Sequence, residues 1–264
     1  MIFGDHMIVR NLFQNKFHEL LKGESSLQNV IYDMLAEGAV YIIGGYVRDT
    51  LNGKESRDVD IVADIPQKKL LNILNDNRCV FDVNRFGGMK LFFSHTEVDL
   101  WNIHDNWAFR TKLVKLNEND KLDSLAKGCF YNYDALVLNI PKFHYNIRYY
   151  CEFLETGVLH TMQKQSIYKS RNPMAEANLI RAIYIKKNHQ CAYSDELLDY
   201  FLKLLFELKL EYGDVVKRLM LVKEDYSKYN SITEQDIRET IVQLTDIKPI
   251  EPSLFDDELH RILV

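Results

Sequence analysis

Tyr41-Ile42-Ile43-Gly44-Gly45-Tyr46-Val47-Arg48-Asp49, followed after a short polar loop by Arg57-Asp58-Val59-Asp60-Ile61-Val62, decides how this chain is read. Tyr41, Ile42 and Ile43 are a strand-like apolar run, and Val47 to Leu51 reads as the first turns of a helix. Between them Gly44 and Gly45 allow the backbone to approach a ligand closely, so strand, glycine turn and helix start together form a seat for phosphate. In the second run Asp58 and Asp60 alternate with Val59 and Ile61. A strand here puts both carboxylates on one face and both aliphatic side chains in the core.

Paired carboxylates beside a phosphate seat suit a hard cation. Mg²⁺ takes oxygen ligands in octahedral geometry, usually one or two carboxylates with substrate phosphates and water. Two such ions about 3.5–4 Å apart activate an attacking hydroxyl and stabilise the departing pyrophosphate of an in-line displacement. The combination points to nucleotidyl transfer from an NTP handled as its Mg²⁺ complex, with Mn²⁺ as a substitute ion. Each piece alone has a plainer reading, since an Asp-x-Asp is commonly a solvated strand end and a Gly-Gly a simple turn. Their order and spacing carry the assignment.

On these residues the chain resembles the head domain of the CCA-adding tRNA nucleotidyltransferases and bacterial poly(A) polymerases, within the DNA polymerase beta superfamily. The family pattern GGxVRD is matched by Gly44 to Asp49, and its DxD, with the preceding charged residue, by Arg57 to Asp60. Phe86-Gly87-Gly88-Met89-Lys90-Leu91 and Thr96-Glu97-Val98-Asp99-Leu100-Trp101 resemble the family's next strand pair, whose second strand supplies a carboxylate facing the first two. The resemblance implies Asp99 as the third acid, with Glu97 a competitor on the same face by the strand period. It implies that Asp58, Asp60 and Asp99 are catalytic and hold two metal ions. It also implies nucleotide contacts from Gly44, Gly45, Arg48 and Arg57; on a later helix Asn178, whose amide can make a bidentate pair with adenine, and Arg181 are further nucleotide-binding candidates. Arg48 has a second reading, as a helix residue paired with a nearby acid.

Further along the resemblance decays. Gly128 to Leu136 aligns without gaps to the family's RRDFTINAL, yet only Ala135 and Leu136 are identical, and Asp134 stands where the family has Asn. Cys151 to His160 resembles the segment leading into the family's neck, and Leu179 to Ile183 its next helix. The family's base-reading EDxxR falls here on Met174, Ala175 and Asn178, so neither of its base-reading side chains is present. A site that hydrogen-bonds a base discriminates far more strongly than an apolar pocket. The expectation is transfer of a nucleotide without faithful CCA templating, to an RNA or tRNA 3′ end. The superfamily also contains enzymes that nucleotidylate antibiotics, proteins or tRNA as resistance factors or toxins, which keeps a small-molecule or protein acceptor open. A third reading, an inactive scaffold, conflicts with three converging acids, which would raise one another's pKa without a cation.

A length of 264 residues and a hydrophobic content of 47% fit about two domains of ~100–200 residues. The formal net charge of −5 supplies no global field for nucleic acid, so RNA contact would rest on local patches. Two patches qualify: Lys142 to Arg148 with Phe143, His144 and Tyr145 interleaved, and Lys164 through Lys169 to Arg171. The first is equally well read as solvated charge on a β-to-helix connection. Cys79, Cys129, Cys151 and Cys191 have neither CxxC nor disulfide spacing and read as core residues, and no histidine pair has metal spacing. There is no apolar run of about 18 residues and no signal-peptide pattern, so the expectation is a cytoplasmic protein with no membrane partner.

The periodicities give an α+β fold. Residues 1–40 read as a helical lead-in, with Phe13, Phe17, Leu20 and Leu21, then Val30, Met34 and Leu35, at helical spacing. Residues 41–160 read as a mixed-sheet nucleotidyltransferase head backed by helices, with β runs at 61–62, 79–83, 89–93 and 98–103 and a helix over 67–74. Residues 161–264 read as an all-α neck-like domain carrying the stripe Leu197, Leu198, Phe201, Leu204, Leu205, Leu208, with Ser194 and Thr233 as helix caps. Pro249 to Pro252 reads as a linker into a last short helix.

Overall fold

The computed structural model describes residues 5–163 and 172–247. The chain divides into two compact units, Met1–Glu155 and Thr156–Val264. The basic run 164–171 and the 249–252 linker with its helix lie outside the described residues.

The first unit opens with α1 (His6–Gly23) and α2 (Ser25–Glu37), which bury Phe13, Phe17, Leu21, Val30 and Met34 of the apolar positions read from the sequence and leave Leu20 and Leu35 partly exposed. There follow β1 (Ala39–Ile43), α3 (Gly45–Leu51), β2 (Asp58–Asp64), α4 (Gln67–Asp76), β3 (Val80–Val83), β4 (Met89–Phe92) and β5 (Glu97–Asn102). After these come α5 (Trp107–Arg110), α6 (Lys121–Gly128), β6 (Val137–Ile140), β7 (Tyr145–Asn146) and α7 (Arg148–Thr156). Among the described residues the strands form one seven-stranded sheet in the order β3-β4-β5-β2-β1-β6-β7. β2 and β5 run parallel while the other pairs are antiparallel, so the sheet is mixed, as expected.

Alternation along the strands sorts the side chains. Val40 and Ile42, Val59, Ile61 and Ala63, Val98 and Leu100, and Met89 and Leu91 are all at most 2% exposed. Their partners at alternate positions include Asp58, Asp60, Lys90, Glu97 and Asp99, none of them buried. One face is thus core and the other is polar over β4, β5 and β2.

The hairpin of β6 and β7 has no counterpart in the sequence reading: β7 has two residues, and Val137, Leu138 and Ile140 of β6 are all buried, so neither strand alternates. It also settles the segment 142–148. Phe143 is buried with its ring edge-on to Phe17, Tyr145 packs against His6 and Phe13, and Arg148 pairs with Asp123. The aromatics are packed inward rather than offered to a base, which leaves the β-to-helix connection as the description of this stretch. Of the cysteines only Cys191 is buried outright; Cys79, Cys129 and Cys151 are partly exposed, against the expectation of four core residues.

The second unit comprises β8 (Val158–Leu159), α8 (Ala175–His189), β9 (Ala192–Tyr193), α9 (Asp195–Tyr212), α10 (Val215–Glu224) and α11 (Glu234–Ile247). Its core joins Leu179, Ile180 and Ile183 to the whole expected stripe of α9, with Leu219, Ile237 and Leu244 from the last two helices. Ser194 accepts from the Leu197 amide, and Thr233 accepts from the amide of Asp236 while donating to its carboxylate. Both caps stand as expected. The reading of this region as helix throughout needs correction: Ala192–Tyr193 pairs in parallel with Val158–Leu159. The strand follows Gln190, which ends α8 in the left-handed conformation, and two residues leave no periodic trace.

Gly38 enters β1 against the neighbouring strand, where an added Cβ would lie 2.3 Å from the Asp64 carbonyl oxygen. Backbone there cannot yield as a flexible side chain would. Gly38→Ala is expected to destabilise the first unit by about 1–3 kcal/mol, in the range of overpacking changes, read as a lower urea midpoint with unchanged slope.

Candidate active site

Gly44 ends β1 with φ +66, a left-handed backbone that L side chains rarely adopt, and its amide donates to the Leu136 carbonyl at 2.9 Å. The turn aims straight into α3, which starts at Gly45. A Cβ on Gly44 would sit 3.7 Å from Asp60 Oδ2, so the glycine turn and the second acid are immediate neighbours. This follows from the antiparallel pairing of β1 with β2, in which Ile43 is level with Asp60.

The parallel pairing of β2 with β5 aligns Asp58 with Glu97 and Asp60 with Asp99. All four acids therefore share a face on adjacent strands, two at each level. Asp58, Asp60 and Asp99 are partly exposed and Glu97 is exposed. The two candidates for third acid differ in surroundings. Glu97 Oε2 is 2.7 Å from Lys90 Nζ on β4, whereas Asp99 is the strand neighbour of Asp60. The Lys90 ammonium is pushed above its ordinary value, first by this hydrogen bond and then by the charges of Asp99, Glu97 and Asp58. Lys90 is a neighbour of these acids that the motif reading passed over. Its signal was available: it alternates with the apolar Met89 and Leu91, which places it on the acid face.

In kind these residues suit divalent cations, since three carboxylates from two adjacent strands share a face beside a glycine turn. Among the described residues no three acidic, histidine or cysteine side chains are posed closely enough to grip a metal as they stand. A cavity of about 610 Å³ opens elsewhere, at the Ala39 end of β1 among Tyr41, Lys121, Asn139 and His144, and Asp58, Asp60, Glu97 and Asp99 do not line it.

Arg48 is held. Its Nη1 donates to Asp134 Oδ1 at 2.8 Å, its Nη2 to Asp49 Oδ1 at 3.1 Å, and its guanidinium lies 4.6 Å from the centre of the Tyr133 ring. Asp134, the residue that replaces the family's Asn, thus ties α3 to the turn at Asn132–Asp134. This geometry is that of the second reading of Arg48, a structural ion pair. Arg57 is exposed on the loop before β2. Asn178 and Arg181 lie on α8 in the second unit, where Arg181 Nη1 donates to the Tyr229 hydroxyl at 3.3 Å. Ala175, at the position of the family's base-reading Asp, is 1% exposed and belongs to the core of that unit.

Removing the guanidinium takes an ion pair from Asp134 and another from Asp49, both at partly buried positions. Arg48→Ala is expected to cost about 1.5–3 kcal/mol of stability, the range for hydrogen bonds to charged groups, seen as a fall in Tm. Asp134→Asn keeps an acceptor for Arg48 and is expected to cost less than half as much.

Comparison with known proteins agrees with this geometry. Residues 40–123 match the family model described as the Poly A polymerase head domain. Among solved structures, a CCA-adding enzyme in complex with ATP matches with a TM-score of 0.61 at 16% identity, over 92% of this chain and 55% of that one. A CCA-adding enzyme with CTP matches at 0.55 and 18% identity, over 80% and 48% respectively. The Thermotoga maritima CCA-adding enzyme complexed with tRNA matches at 0.55 and 16%, over 93% and 53%. The chain spans about half the length of these structures. No curated protein matches it in sequence. The α+β fold is therefore the one these solved structures share, and residues 40–123 are similar to the Poly A polymerase head domain.

Proposed function

We propose that the protein is a metal-dependent nucleotidyltransferase that moves an NMP from an NTP to an acceptor hydroxyl with release of pyrophosphate, the acceptor being an RNA or tRNA 3′ end. The observation that carries this is the meeting of Gly44 with Asp60 and of Asp60 with Asp99. Phosphate seat and carboxylates then lie where one substrate touches both. Two divalent cations, when bound, lower the barrier by activating the attacking hydroxyl and neutralising charge on the pyrophosphate. Asp58, Asp60 and Asp99 would hold them, and partial exposure leaves their side chains room to rotate inward.

Each remaining part acts through position. The amides that follow Gly44 face the triphosphate, and the left-handed turn keeps Cβ atoms out of its way. Arg48 fixes the start of α3 through Asp134, which holds the turn in one geometry. A nucleoside triphosphate as substrate is further supported by the ATP- and CTP-bound neighbours, and an RNA acceptor by the tRNA-bound one. Nucleotide choice differs from theirs in this reading, because the template positions carry Met174, a buried Ala175 and Asn178.

Two outcomes follow. With Mg²⁺, labelled NTPs and total RNA, wild-type protein transfers label, and Asp60→Ala loses at least about a hundredfold in rate, as expected where electrostatic stabilisation is the main effect; a variant within tenfold of wild type overturns the assignment. Given a tRNA lacking its 3′ trinucleotide, with CTP and ATP, the sequenced product is not an ordered C-C-A end. Label appearing on a small molecule or protein instead of RNA would redirect the acceptor.

A further inference from the structure

The cavity at the Ala39 end of β1, about 610 Å³ in volume, lies wholly within the first unit. It is of a size that takes a small organic molecule, for which ~300–1,000 Å³ is usual. Leu35, Leu122, Ile140 and Pro141 give it apolar walls. Tyr41 and Asn139, also in its lining, are Cα partners across β1 and β6. Residues so paired point the same way, with Cβ atoms about 4.5–5.5 Å apart.

Both of these side chains have hydrogen-bonding capacity to spare. Tyr41 is 5% exposed, yet among the described residues its hydroxyl has no hydrogen-bond partner. Buried polar groups are nearly always bonded. Burial pushes this hydroxyl above its ordinary value, and the charges of Lys121, Asp64 and Glu118 act on it from around the cavity. Asn139 is partly exposed. Its backbone is engaged, the amide donating to the His144 carbonyl and the carbonyl accepting from the Phe143 amide, but its side-chain amide has no partner among the described residues.

The charges near the cavity are mostly answered. Lys121 engages Asp64, and Glu118 at 2.8 Å, while Asp120 accepts from the Asp123 amide as the cap of α6. Lys142 and His144 are exposed residues of the lining. Such a pocket does not concentrate one sign of charge, so it suits an uncharged ligand with a hydrogen-bonding edge better than a bare ion. A side-chain amide holds a donor and an acceptor side by side, and the adenine edge, with its amino group and ring nitrogen, answers both at once. Apolar walls suit the two faces of the same ring, and a hydroxyl is a third bond to its perimeter.

We infer that this cavity is a binding site for an adenine base, held along its edge by Asn139 and Tyr41 and separate from the acids of β2 and β5. The inference rests on the cavity and its two spare polar groups, and it stands or falls independently of nucleotidyl transfer.

The test is calorimetric titration of the full chain with adenosine in the absence of divalent cations, a probe without the phosphates that a metal site would grip. Adenosine is expected to bind. Tyr41→Phe weakens it about fivefold, the loss of one hydrogen bond, with Tm unchanged because the hydroxyl has no partner in the protein to lose. Asn139→Leu weakens it about tenfold or more, as does replacing adenosine by inosine, whose carbonyl stands where the amino group was. Asp60→Ala leaves the affinity as it was. A short oligo(A) that binds with the same dependence on Asn139 assigns the base to an RNA strand, and one that does not bind assigns it to a free nucleoside or nucleotide. Absence of binding by either probe at millimolar concentration, binding that neither Tyr41→Phe nor Asn139→Leu weakens, or binding lost in Asp60→Ala overturns the inference.

Discussion

The parallel pairing of β2 with β5 is the constraint on which the rest depends. It brings Asp58 level with Glu97 and Asp60 level with Asp99, an arrangement that like charges oppose. A carboxylate pair 4 Å apart repels by on the order of 1–4 kcal/mol between bulk water and a protein surface. Val59, Ile61, Val98 and Leu100, which alternate with the acids, are each at most 2% exposed, and burying such a side chain contributes roughly 1.5–3 kcal/mol. The apolar face wins, and the polar face is carried along by the pleat. A slip of one residue would put every acid into the core, so the register is fixed by the same burial that tolerates the repulsion.

The sequence displayed this arrangement unevenly. The alternation Asp58-Val59-Asp60-Ile61 and Glu97-Val98-Asp99-Leu100 announced two strands with acids on one face, and both are strands. Their pairing with each other was not in the alternation; it came from a family resemblance. Helices with long apolar stripes, α1, α2 and α9, were legible for the same reason that they fold, since each repeats its pattern over several turns. Elements of two residues left no period to read, which hid β7, β8 and β9, while β6 was passed over although β3 and β4, of the same four residues, were read. The inward packing of Phe143 and Tyr145 was likewise invisible, because an aromatic beside a lysine reads the same whether it stacks on a base or on Phe13 and Phe17.

Departure from the family pattern has a physical shape here. At position 134 an acid replaces an amide, and Arg48 is engaged by it, so a charge that reads as a phosphate ligand becomes part of the frame around the turn. At position 175, which the sequence reading aligns with the base-reading Asp, stands an alanine that belongs to the core of the second unit. In the proposed reading the metal and phosphate elements keep their chemistry, the positions aligned with the base-selecting residues are structural, and nucleotide choice rests on other contacts.

The central claim is that Asp58, Asp60 and Asp99 hold cations against a triphosphate seated at Gly44. The most direct measurement is an anomalous difference map, recorded at the manganese edge, from crystals of the protein with Mn²⁺ and a non-hydrolysable NTP. The account predicts manganese peaks between Asp60 and Asp99 and at Asp58, with the phosphates against the Gly44–Gly45 turn. Manganese or nucleotide bound elsewhere in the head region, with these carboxylates uninvolved, would contradict it.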